Sequence, residues 1–255
     1  MKHFKLKEKK DILIVEFDMA EKTANLLNQQ TLSELQKIID DVSSDNSKKG
    51  IILTSAKKDF CLGADVNYIL KLVKGSTKTK QLFDKLWKIQ QFLQSFDKPI
   101  VSIINGQCLG GGFELALASY YRIGIKHTRL KLALPEVRIG IMPGLGGTQR
   151  LPRLIGLEAS LPYILKGSSI REEAALGKGV LDALASSSEE AINLAIKYIS
   201  SSPSKPKLKS VNPYTKEHLM QFAAASALSK KTAQGCYANI ENILQTIYEG
   251  NLYDL

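Results

Sequence analysis

The stretch Gly106-Gln107-Cys108-Leu109-Gly110-Gly111-Gly112-Phe113-Glu114-Leu115 carries the strongest structural signal in this chain. It follows the continuous apolar run Ile100 to Ile104, which predicts a buried strand, and it leads into an apolar segment that predicts a helix opening at Phe113. Three successive glycines at such a junction indicate a tight turn, close packing of the helix, or backbone N–H groups that approach a ligand. The last interpretation is chemically attractive because free N–H groups at a helix N-terminus bind anions and developing oxyanions.

Strand and helix patterns alternate on both sides of this junction. Short or continuous apolar runs predict strands at Asp11–Phe17, Ile51–Leu53, Ile100–Ile104, Tyr121–Ile125 and Leu130–Leu134. Between them, apolar residues recur every three or four positions, from Leu32 to Val42 and from Leu82 to Phe96, which predicts two amphipathic helices. Continuous apolar strands separated by helices predict an α/β fold whose sheets are covered on at least one face.

The last quarter of the chain has a different character. Ser187-Ser188-Glu189-Glu190 resembles a capping box and predicts a helix that runs through Ile199. Residues 200–213 are rich in Ser, Pro and Lys and are typical of a linker, and residues 214–250 are predicted to be helical. We therefore predict a catalytic core over residues 1–199 and a linker with a C-terminal helical region over residues 200–255.

Composition excludes several classes of protein. The chain has 255 residues, of which 44% are hydrophobic and 24% charged, which is typical of a globular protein with ample core. No apolar run is long enough to predict a membrane-spanning helix, and the N-terminal residues lack the features of a secretory or transit peptide. Cys61, Cys108 and Cys236 are odd in number and far apart, which favours free thiols and a cytoplasmic location.

Histidines and serines lack the spacing of the usual catalytic motifs. His3, His127 and His218 have no metal-ligand spacing with one another or with the cysteines, so we predict no metal site. Neither a G-x-S-x-G nucleophile motif nor a G-x-G-x-x-G dinucleotide fingerprint occurs.

Charge points toward an anionic partner or a solvated surface. The 35 Lys and Arg residues exceed the 25 Asp and Glu residues and give a net charge of +10. The basic residues are dispersed, in groups such as Lys71–Lys88 and Lys205–Lys209, without interleaved aromatic residues. This dispersal favours a solvated surface, then an anionic small molecule, and makes nucleic acid the least favoured partner.

Two glutamates are candidates for proton transfer. Glu114 falls in the first turn of the predicted helix, where the helix dipole stabilises a carboxylate, and it precedes the apolar segment Leu115–Ala118. Glu136 follows a predicted strand in Leu134-Pro135-Glu136. Position alone favours a helix-dipole partner for Glu114 and a surface acid for Glu136. Apolar surroundings would instead disfavour the charged form and suit proton transfer.

Three blocks resemble the enoyl-CoA hydratase/isomerase (crotonase) superfamily, in the order and spacing of that family. They are Phe60-Cys61-Leu62-Gly63-Ala64-Asp65, the stretch Gly106–Leu115 quoted above, and Leu134-Pro135-Glu136-Val137-Arg138-Ile139-Gly140-Ile141-Met142-Pro143-Gly144-Leu145-Gly146-Gly147-Thr148-Gln149-Arg150-Leu151-Pro152-Arg153-Leu154-Ile155-Gly156. The resemblance covers about Ile12 to Ala185. It implies a crotonase-like core, a ββα superhelix, with a C-terminal helical region.

The C-terminal tail adds to the resemblance. Lys231-Thr232-Ala233-Gln234-Gly235-Cys236-Tyr237 is similar to the segment that follows the hydratase part of multifunctional fatty-acid oxidation α subunits. In those proteins an NAD-dependent 3-hydroxyacyl-CoA dehydrogenase part comes next, and this sequence does not include it. The resemblance allows either a homotrimer or a partner in a β-oxidation complex.

The resemblance implies a specific chemistry. The family's oxyanion hole maps to the N–H groups of Ala64 and Gly111, which would hold a thioester carbonyl oxygen. Its two glutamates map to Glu114 and Glu136, which would hold a water with the Gly144 N–H as a third contact. Water would add to C3 of a trans-2-enoyl-CoA, and Glu136 would protonate C2, in the hydro-lyase reaction of fatty-acid β-oxidation.

The same resemblance implies where the coenzyme A part of the substrate lies. Its adenine end would lie near Lys22-Thr23-Ala24 and Phe60-Cys61-Leu62, and no separate cofactor is expected because the acyl-CoA is itself the substrate. Leu62 is bulkier than the residue common in single-function hydratases, and Asn67 stands where many relatives have Lys. A Δ3-Δ2 enoyl-CoA isomerase or another enolate-forming crotonase is the alternative, followed by a nucleic-acid-binding homologue.

Overall fold

The strands of the protein form two sheets. A computed structural model describes residues 1–73, 76–233 and 238–253. The strands of this described part are, in chain order, β1 (Phe4–Lys9), β2 (Ile12–Phe17), β3 (Gly50–Ser55), β4 (Ile100–Ile104), β5 (Gln107–Leu109), β6 (Tyr121–Ile125), β7 (Lys131–Ala133), β8 (Ser169–Arg171) and β9 (Ala183–Ala185). The larger sheet has the order β1-β2-β3-β4-β6-β9, and the smaller one has the order β5-β7-β8.

Most strands of the larger sheet run parallel. Only β1 pairs antiparallel, with β2, while β2, β3, β4, β6 and β9 pair in parallel. The five strands expected from apolar runs are all present, which confirms the α/β prediction. The sequence patterns did not reveal β1, β5, β8 and β9. In β1 only Phe4 is buried, and the other three have just three residues each.

The chain alternates between the sheets around the glycine-rich junction. It leaves β4 in the larger sheet, enters β5 in the smaller one, returns to β6 and then forms β7 in the smaller sheet. Gly106 makes the first of these crossings with φ +67°, and a Cβ there would lie 2.5 Å from the Lys58 carbonyl oxygen. Any other residue would therefore displace the loop that precedes Phe60.

Helices cover both faces of the larger sheet. They are α1 (Gln29–Ser44), α2 (Val66–Val73), α3 (Ser76–Ser95), α4 (Gly111–Leu117), α5 (Gly147–Ile155), α6 (Leu157–Leu165), α7 (Glu172–Gly177), α8 (Ser188–Ser200), α9 (Lys216–Ala233) and α10 (Ala238–Gly250). On β3, Ile51 and Leu53 join the core cluster that includes α1 and α4, whereas Ile52 joins the cluster that includes α8. Both faces of the sheet are therefore apolar, which explains the continuous hydrophobic runs.

The predicted start of α8 is confirmed with one difference. Ser187 is the N-cap, and its hydroxyl oxygen accepts a hydrogen bond from the Glu190 N–H. The Glu190 carboxylate accepts from the N–H of Ser186 rather than from that of Ser187, so the reciprocal bond of a capping box is displaced by one residue.

The C-terminal region packs against the rest of the chain. Residues 202–212 form neither helix nor strand, as expected of a linker, although Val211 is buried in the main core cluster. Helices α9 and α10 lie within the residues 214–250 that were predicted to be helical, and Ile243, Leu244 and Ile247 on α10 are buried in that cluster. The division between residues 1–199 and 200–255 stays a prediction. Gln234–Tyr237 of the tail motif and the side chain of Leu82 lie outside the described residues.

The structure also bears on the predicted free thiols and on membrane-spanning helices. The thiols of Cys61 and Cys108 are buried and free, as predicted. The backbones of these two residues form an isolated parallel β-bridge. Cys236 lies outside the described residues. Among the helices of the described part, none has the length and apolar character needed to cross a bilayer.

Candidate active site

Crowding explains all three glycines of the junction. The N–H of Gly110 donates to the Ala133 carbonyl oxygen at 2.8 Å, which ties the turn to β7. A Cβ on Gly110 would lie 2.7 Å from Oε1 of Glu136, and one on Gly112 would lie 2.6 Å from the Cys61 carbonyl oxygen. A Cβ on Gly111 would lie 2.8 Å from the Leu27 side chain. The glycines therefore let a loop, a carboxylate and an apolar side chain converge on the start of α4.

Glu114 is a buried carboxylate held by a second loop. Its side chain is on the first turn of α4, and the residue is only 2% exposed. Oε1 accepts hydrogen bonds from the N–H groups of Leu145 and Gly147, each at 2.7 Å. Burial raises the pKa of Glu114, while these N–H groups, the charge of Arg150 and the Gly144 N–H act to lower it. Glu114 is therefore more than a partner of the helix dipole, because it is buried and its carboxylate binds a loop outside its own helix.

Glu136 is also buried, which excludes a surface acid at this position. It lies in a 3-10 helix over Pro135–Ile139 and is 8% exposed. Oε2 has no hydrogen-bond partner within the described part of the chain. Burial first, and then the charge of Glu114, raise the pKa of Glu136 to about 8. A buried carboxyl oxygen without a partner is unusual in proteins and indicates a place for a bound water or a substrate atom.

The two carboxyl groups lie beside the same dipeptide but differ in hydrogen bonding. A Cβ on Gly110 would contact Glu136 at 2.7 Å, and a Cβ on Gly111 would lie 4.0 Å from Oε2 of Glu114. Burial raises the pKa of both groups, and N–H donors act against this rise at Glu114, whereas Oε2 of Glu136 has no partner in the described residues. This difference suits Glu114 to the role of base and Glu136 to that of acid at one site.

Two backbone N–H groups near this dipeptide, those of Ala64 and Gly111, have no acceptor among the described residues. Leu27 pairs with the loop after Phe60, because its N–H donates to the Gly63 carbonyl oxygen and its carbonyl oxygen accepts from the Asp65 N–H. The intervening Ala64 N–H takes no part in this bridge, and a Cβ on Gly63 would lie 3.6 Å from the Gly111 nitrogen. No acceptor for the Ala64 or Gly111 N–H is present in the described residues, which leaves both amides available to a ligand.

The two segments predicted to meet coenzyme A lie side by side. Lys22 and Thr23 are exposed, and the N–H of Leu62 donates to the Asn25 carbonyl oxygen at 3.0 Å, which joins the segments. Phe60 and Cys61 are buried as whole residues, and Leu62 in the same segment is partly exposed. Burial raises the pKa of the Cys61 thiol to about 12. The contact of these segments with coenzyme A stays a prediction.

Asn25 is a structural residue that sequence analysis missed. It is fully buried, and its Nδ2 donates to the Phe17 carbonyl oxygen at 2.9 Å and to the Phe60 carbonyl oxygen at 3.1 Å. Its Oδ1 accepts from the Met19 N–H at 2.9 Å. The side chain thus joins the end of β2 to both predicted coenzyme A segments. A lone asparagine between Ala24 and Leu26 gives no signal of this role in the sequence.

Arg150 is the second residue that was missed. It is 5% exposed, and its Nη1 donates to the Leu145 carbonyl oxygen at 2.6 Å. Leu145 is one of the two residues whose N–H groups hold Glu114. A charged residue just after a glycine-rich turn was visible in the sequence, but only the structure shows that it is buried beside that turn.

The chain matches a known family over nearly its whole length. Residues 7–247 match the family model for enoyl-CoA hydratase/isomerase. The fatty acid oxidation complex subunit alpha of Idiomarina loihiensis is 33% identical over 253 residues, which cover 94% of this chain and 35% of that protein. That of Shewanella frigidimarina is 34% identical over 261 residues, which cover 98% of this chain and 36% of that protein. This chain therefore spans about a third of the length of these relatives.

Solved structures agree with the fold. The enoyl-CoA hydratase of Bacillus anthracis has a TM-score of 0.70 and 27% identity, covering 99% of this chain and 92% of that one. An enoyl-CoA hydratase of Bacillus halodurans has a TM-score of 0.72 with 23% identity, covering 98% and 96% respectively, and supports the fold alone. The predicted crotonase-like fold is confirmed.

Proposed function

Because the chain belongs to the enoyl-CoA hydratase/isomerase family, we propose that it adds water across the C2=C3 double bond of a trans-2-enoyl-CoA to form a 3-hydroxyacyl-CoA. One observation carries this proposal: two buried carboxyl groups lie beside the same dipeptide, Gly110-Gly111, and one is held by two N–H donors while the other has an oxygen with no partner in the described part of the chain. Hydration needs both a base and an acid, since water must lose a proton as it attacks and C2 must gain one.

In the proposed reaction the carbonyl oxygen of the thioester binds between the N–H groups of Ala64 and Gly111. Negative charge moves onto this oxygen when a nucleophile attacks C3, and two aligned N–H donors stabilise that charge. Loss of one such donor typically reduces the rate about 10²- to 10³-fold. The start of α4 adds the positive end of the helix dipole at the same place.

The two glutamates divide the proton transfers. Ionised Glu114 accepts a proton from the water while the water oxygen forms its bond to C3, and the electron pair of the double bond moves toward the thioester oxygen. Protonated Glu136 then donates its proton to C2 as the enolate collapses. Proton exchange with solvent, or transfer from Glu114 to Glu136, restores the starting state. Gly144, whose N–H faces the Glu114 carboxylate, is the proposed third contact for the water.

The physiological setting is part of the proposal. The curated relatives are named as subunits of a fatty acid oxidation complex, which supports a role for this chain in β-oxidation. The coenzyme A thioester is the substrate, and the proposed steps use no metal and no redox cofactor. Assembly as a homotrimer or with a β-oxidation partner, and cytoplasmic location, stay predictions.

Loss of the ultraviolet absorbance of the conjugated enoyl thioester tests the proposal. Wild-type protein is expected to hydrate a trans-2-enoyl-CoA, and Glu114→Gln and Glu136→Gln are each expected to lower turnover by about 10²-fold or more. Glu158→Gln is a matched control, because Glu158 is an exposed acid in the first turn of α6. Near wild-type turnover in both active-site variants would exclude the hydratase mechanism.

The same variants distinguish the alternative functions. An isomerase that moves a Δ3 double bond to Δ2 would tolerate Glu114→Gln but not Glu136→Gln, because a single acid–base group suffices for it. A nucleic-acid-binding homologue would bind RNA with a steep salt dependence and would be indifferent to both substitutions.

A further inference from the structure

A large basic cavity lies at the opposite end of α4 from the glycine-rich turn. Its volume is about 810 Å³, and its wall includes Leu117 and Tyr120 at the end of α4 and residues 205–210 of the linker. Among the residues that the structure describes, the basic side chains that line it are Arg122, Arg150, Arg153, Lys205, Lys207 and Lys209, and the acidic one is Asp182. Apart from Arg150, whose guanidinium holds the Leu145 peptide beside Glu114, these basic side chains have no part in the proposed hydration reaction.

Arg122 and Arg153 make ion pairs or hydrogen bonds that hold elements of the fold together. Arg122 forms an ion pair with Asp182 at 2.7 Å, and its Nε donates to the Val180 carbonyl oxygen at 2.8 Å. Arg153 donates through Nη2 to the Gly250 carbonyl oxygen at 2.7 Å and through Nη1 to Oε1 of Gln149 at 2.8 Å. These guanidinium groups hold β6 to the chain before β9, and α5 to the end of α10.

Arg150 and Lys205 differ, because they bring two like charges to the same cavity. The guanidinium of buried Arg150 makes one hydrogen bond within the described part of the chain, to the Leu145 carbonyl oxygen. Lys205 Nζ donates to the Gln94 carbonyl oxygen and lies 5.9 Å from the centre of the Tyr120 ring. Burial first, and then the charge of Arg150, lower the pKa of Lys205.

The acidic groups nearby compensate this charge only in part. Asp97 acts on Lys205 and raises its pKa, and the charge of Glu114 raises the pKa of Arg150. Asp182 is already paired with Arg122. An anion placed between Arg150 and Lys205 would offset their mutual repulsion and raise the pKa of Lys205.

We propose that this cavity binds a phosphate group, between Arg150 and Lys205. Phosphate suits the site because it carries close to two negative charges, and because guanidinium N–H groups match phosphate oxygens in geometry. A nucleic acid strand does not fit, since the Arg150 guanidinium lies at the buried floor of a cavity rather than on an exposed stripe. The volume is large enough for a phosphorylated small molecule.

Isothermal titration calorimetry with inorganic phosphate and, separately, with ADP tests the proposal. The titrations are done at about pH 7.5, where phosphate is mostly dianionic, with sodium chloride holding the ionic strength constant. We expect saturable one-to-one binding to the wild-type chain that weakens at least about tenfold in Lys205→Gln and persists in Lys205→Arg. Lys178→Gln is the matched control, because Lys178 is exposed and does not line the cavity.

The two probes distinguish the source of the phosphate. Tighter binding of ADP than of inorganic phosphate indicates a nucleotide-like ligand, and equal binding indicates that the phosphate group alone is recognised; both support the proposal. Absence of saturation with both probes into the tens of millimolar overturns it, as does equal weakening in Lys205→Gln and Lys178→Gln. If Lys205→Gln does not fold, Lys207→Gln replaces it, and unchanged binding there counts against the cavity. The titration with inorganic phosphate does not depend on the proposed hydratase activity. Coenzyme A contains an ADP group that the proposed substrate site could also bind, so ADP binding supports the cavity only when it weakens in Lys205→Gln, and ADP binding that is unchanged in this variant counts against it.

Discussion

Arg150 and Leu145 are joined by a hydrogen bond of 2.6 Å, from Nη1 of the arginine to the carbonyl oxygen of the leucine. The N–H of the same Leu145 donates to Oε1 of Glu114 at 2.7 Å. One buried cation thus fixes the peptide that orients the proposed catalytic base. A Cβ on the intervening Gly146 would collide with Nη1 of Arg150, so the turn and the arginine require each other.

Arg150→Met is expected to impair hydration through Glu114. Without the guanidinium, the Leu145 peptide loses its anchor, and Glu114 loses a nearby positive charge that lowers its pKa. We expect kcat to fall by about tenfold or more with little change in KM, and the acidic limb of the pH–rate profile to move to higher pH. Arg138→Met is the control, since Arg138 is exposed. If kcat falls but the acidic limb of the pH–rate profile does not shift, Arg150 does not act on the pKa of Glu114 and its role is only structural.

The rate of hydration is expected to fall as the pH rises through about 8. Burial and the charge of Glu114 raise the pKa of Glu136 to about 8, and Glu136 must be protonated to donate to C2. Above that value kcat/KM should fall about tenfold per pH unit, with an apparent pKa that belongs to the pair of carboxyl groups. Measurement of kcat/KM from mildly acidic to alkaline pH checks this. A profile that stays flat through this range would contradict the assignment of Glu136 as the acid.

The raised pKa of Glu136 is also expected to make the free energy of unfolding fall as the pH rises. The pKa of Glu136 is raised from 4.5 to about 8, so the folded state holds this proton more tightly than the unfolded state does. The wild-type free energy of unfolding, relative to that of Glu136→Gln, should therefore fall as the pH rises from 4.5 to about 8. The relative loss is at most about 5 kcal/mol, at about 1.4 kcal/mol per pKa unit. Urea unfolding of both proteins across this range measures it, and a constant difference would contradict the buried, uncompensated carboxyl.

Gly147→Ala is expected to displace the Glu114 carboxylate. A Cβ at this position would lie 3.0 Å from Oε1 and 3.0 Å from Cγ of Glu114, closer than relaxed packing allows. We expect turnover to fall by about tenfold or more and the free energy of unfolding to fall by about 1–3 kcal/mol. Gly177→Ala serves as the control, because a Cβ there has no neighbour within 4 Å. Equal activity in the two variants would show that the carboxylate position is not critical.

Asn25→Ala is expected to destabilise the protein and weaken substrate binding together. The substitution leaves the buried Met19 N–H and the Phe17 and Phe60 carbonyl oxygens without their partner. An unfolding free energy lower by about 2–4 kcal/mol is expected, along with a raised KM for acyl-CoA if both joined segments contact coenzyme A. The exposed Asn193 on α8 provides the control, as Asn193→Ala. An unchanged KM in a folded Asn25→Ala protein would separate these segments from the coenzyme A site.

Local patterns predicted those elements whose sequence matches their surroundings. Ile100 to Ile104 is buried along its whole length, and it was recognisable because a strand covered on both faces needs apolar residues at every position. The strand Phe4–Lys9 was not recognisable, since five of its six residues are exposed at the edge of the sheet. β5, β8 and β9 have three residues each, too few for any periodicity.

The candidate site divides in the same way. Glu114, Glu136 and the glycines could be singled out because they occur within motifs that resemble a family, although their roles stay predictions. Asn25 and Arg150 could not, because neither residue type nor spacing shows that a polar side chain is buried against loops distant in sequence. Asn25 has hydrogen-bond partners as far apart in sequence as Phe17 and Phe60. The charge of Arg150 lowers the pKa of Glu114, which lies 36 positions earlier in the chain.

The sequence by itself determined the α/β class, the positions of the main strands and helices, and the family, because these depend on periodicity and on contiguous motifs. Only the tertiary structure decided that both carboxyl groups are buried, which raises the pKa of each, and which N–H groups hold Glu114. Desolvation and these hydrogen bonds depend on loops that folding brings together. The basic cavity behind α4 has the same origin, since Arg150 and Lys205 are 55 positions apart and meet only when the linker lies across the core.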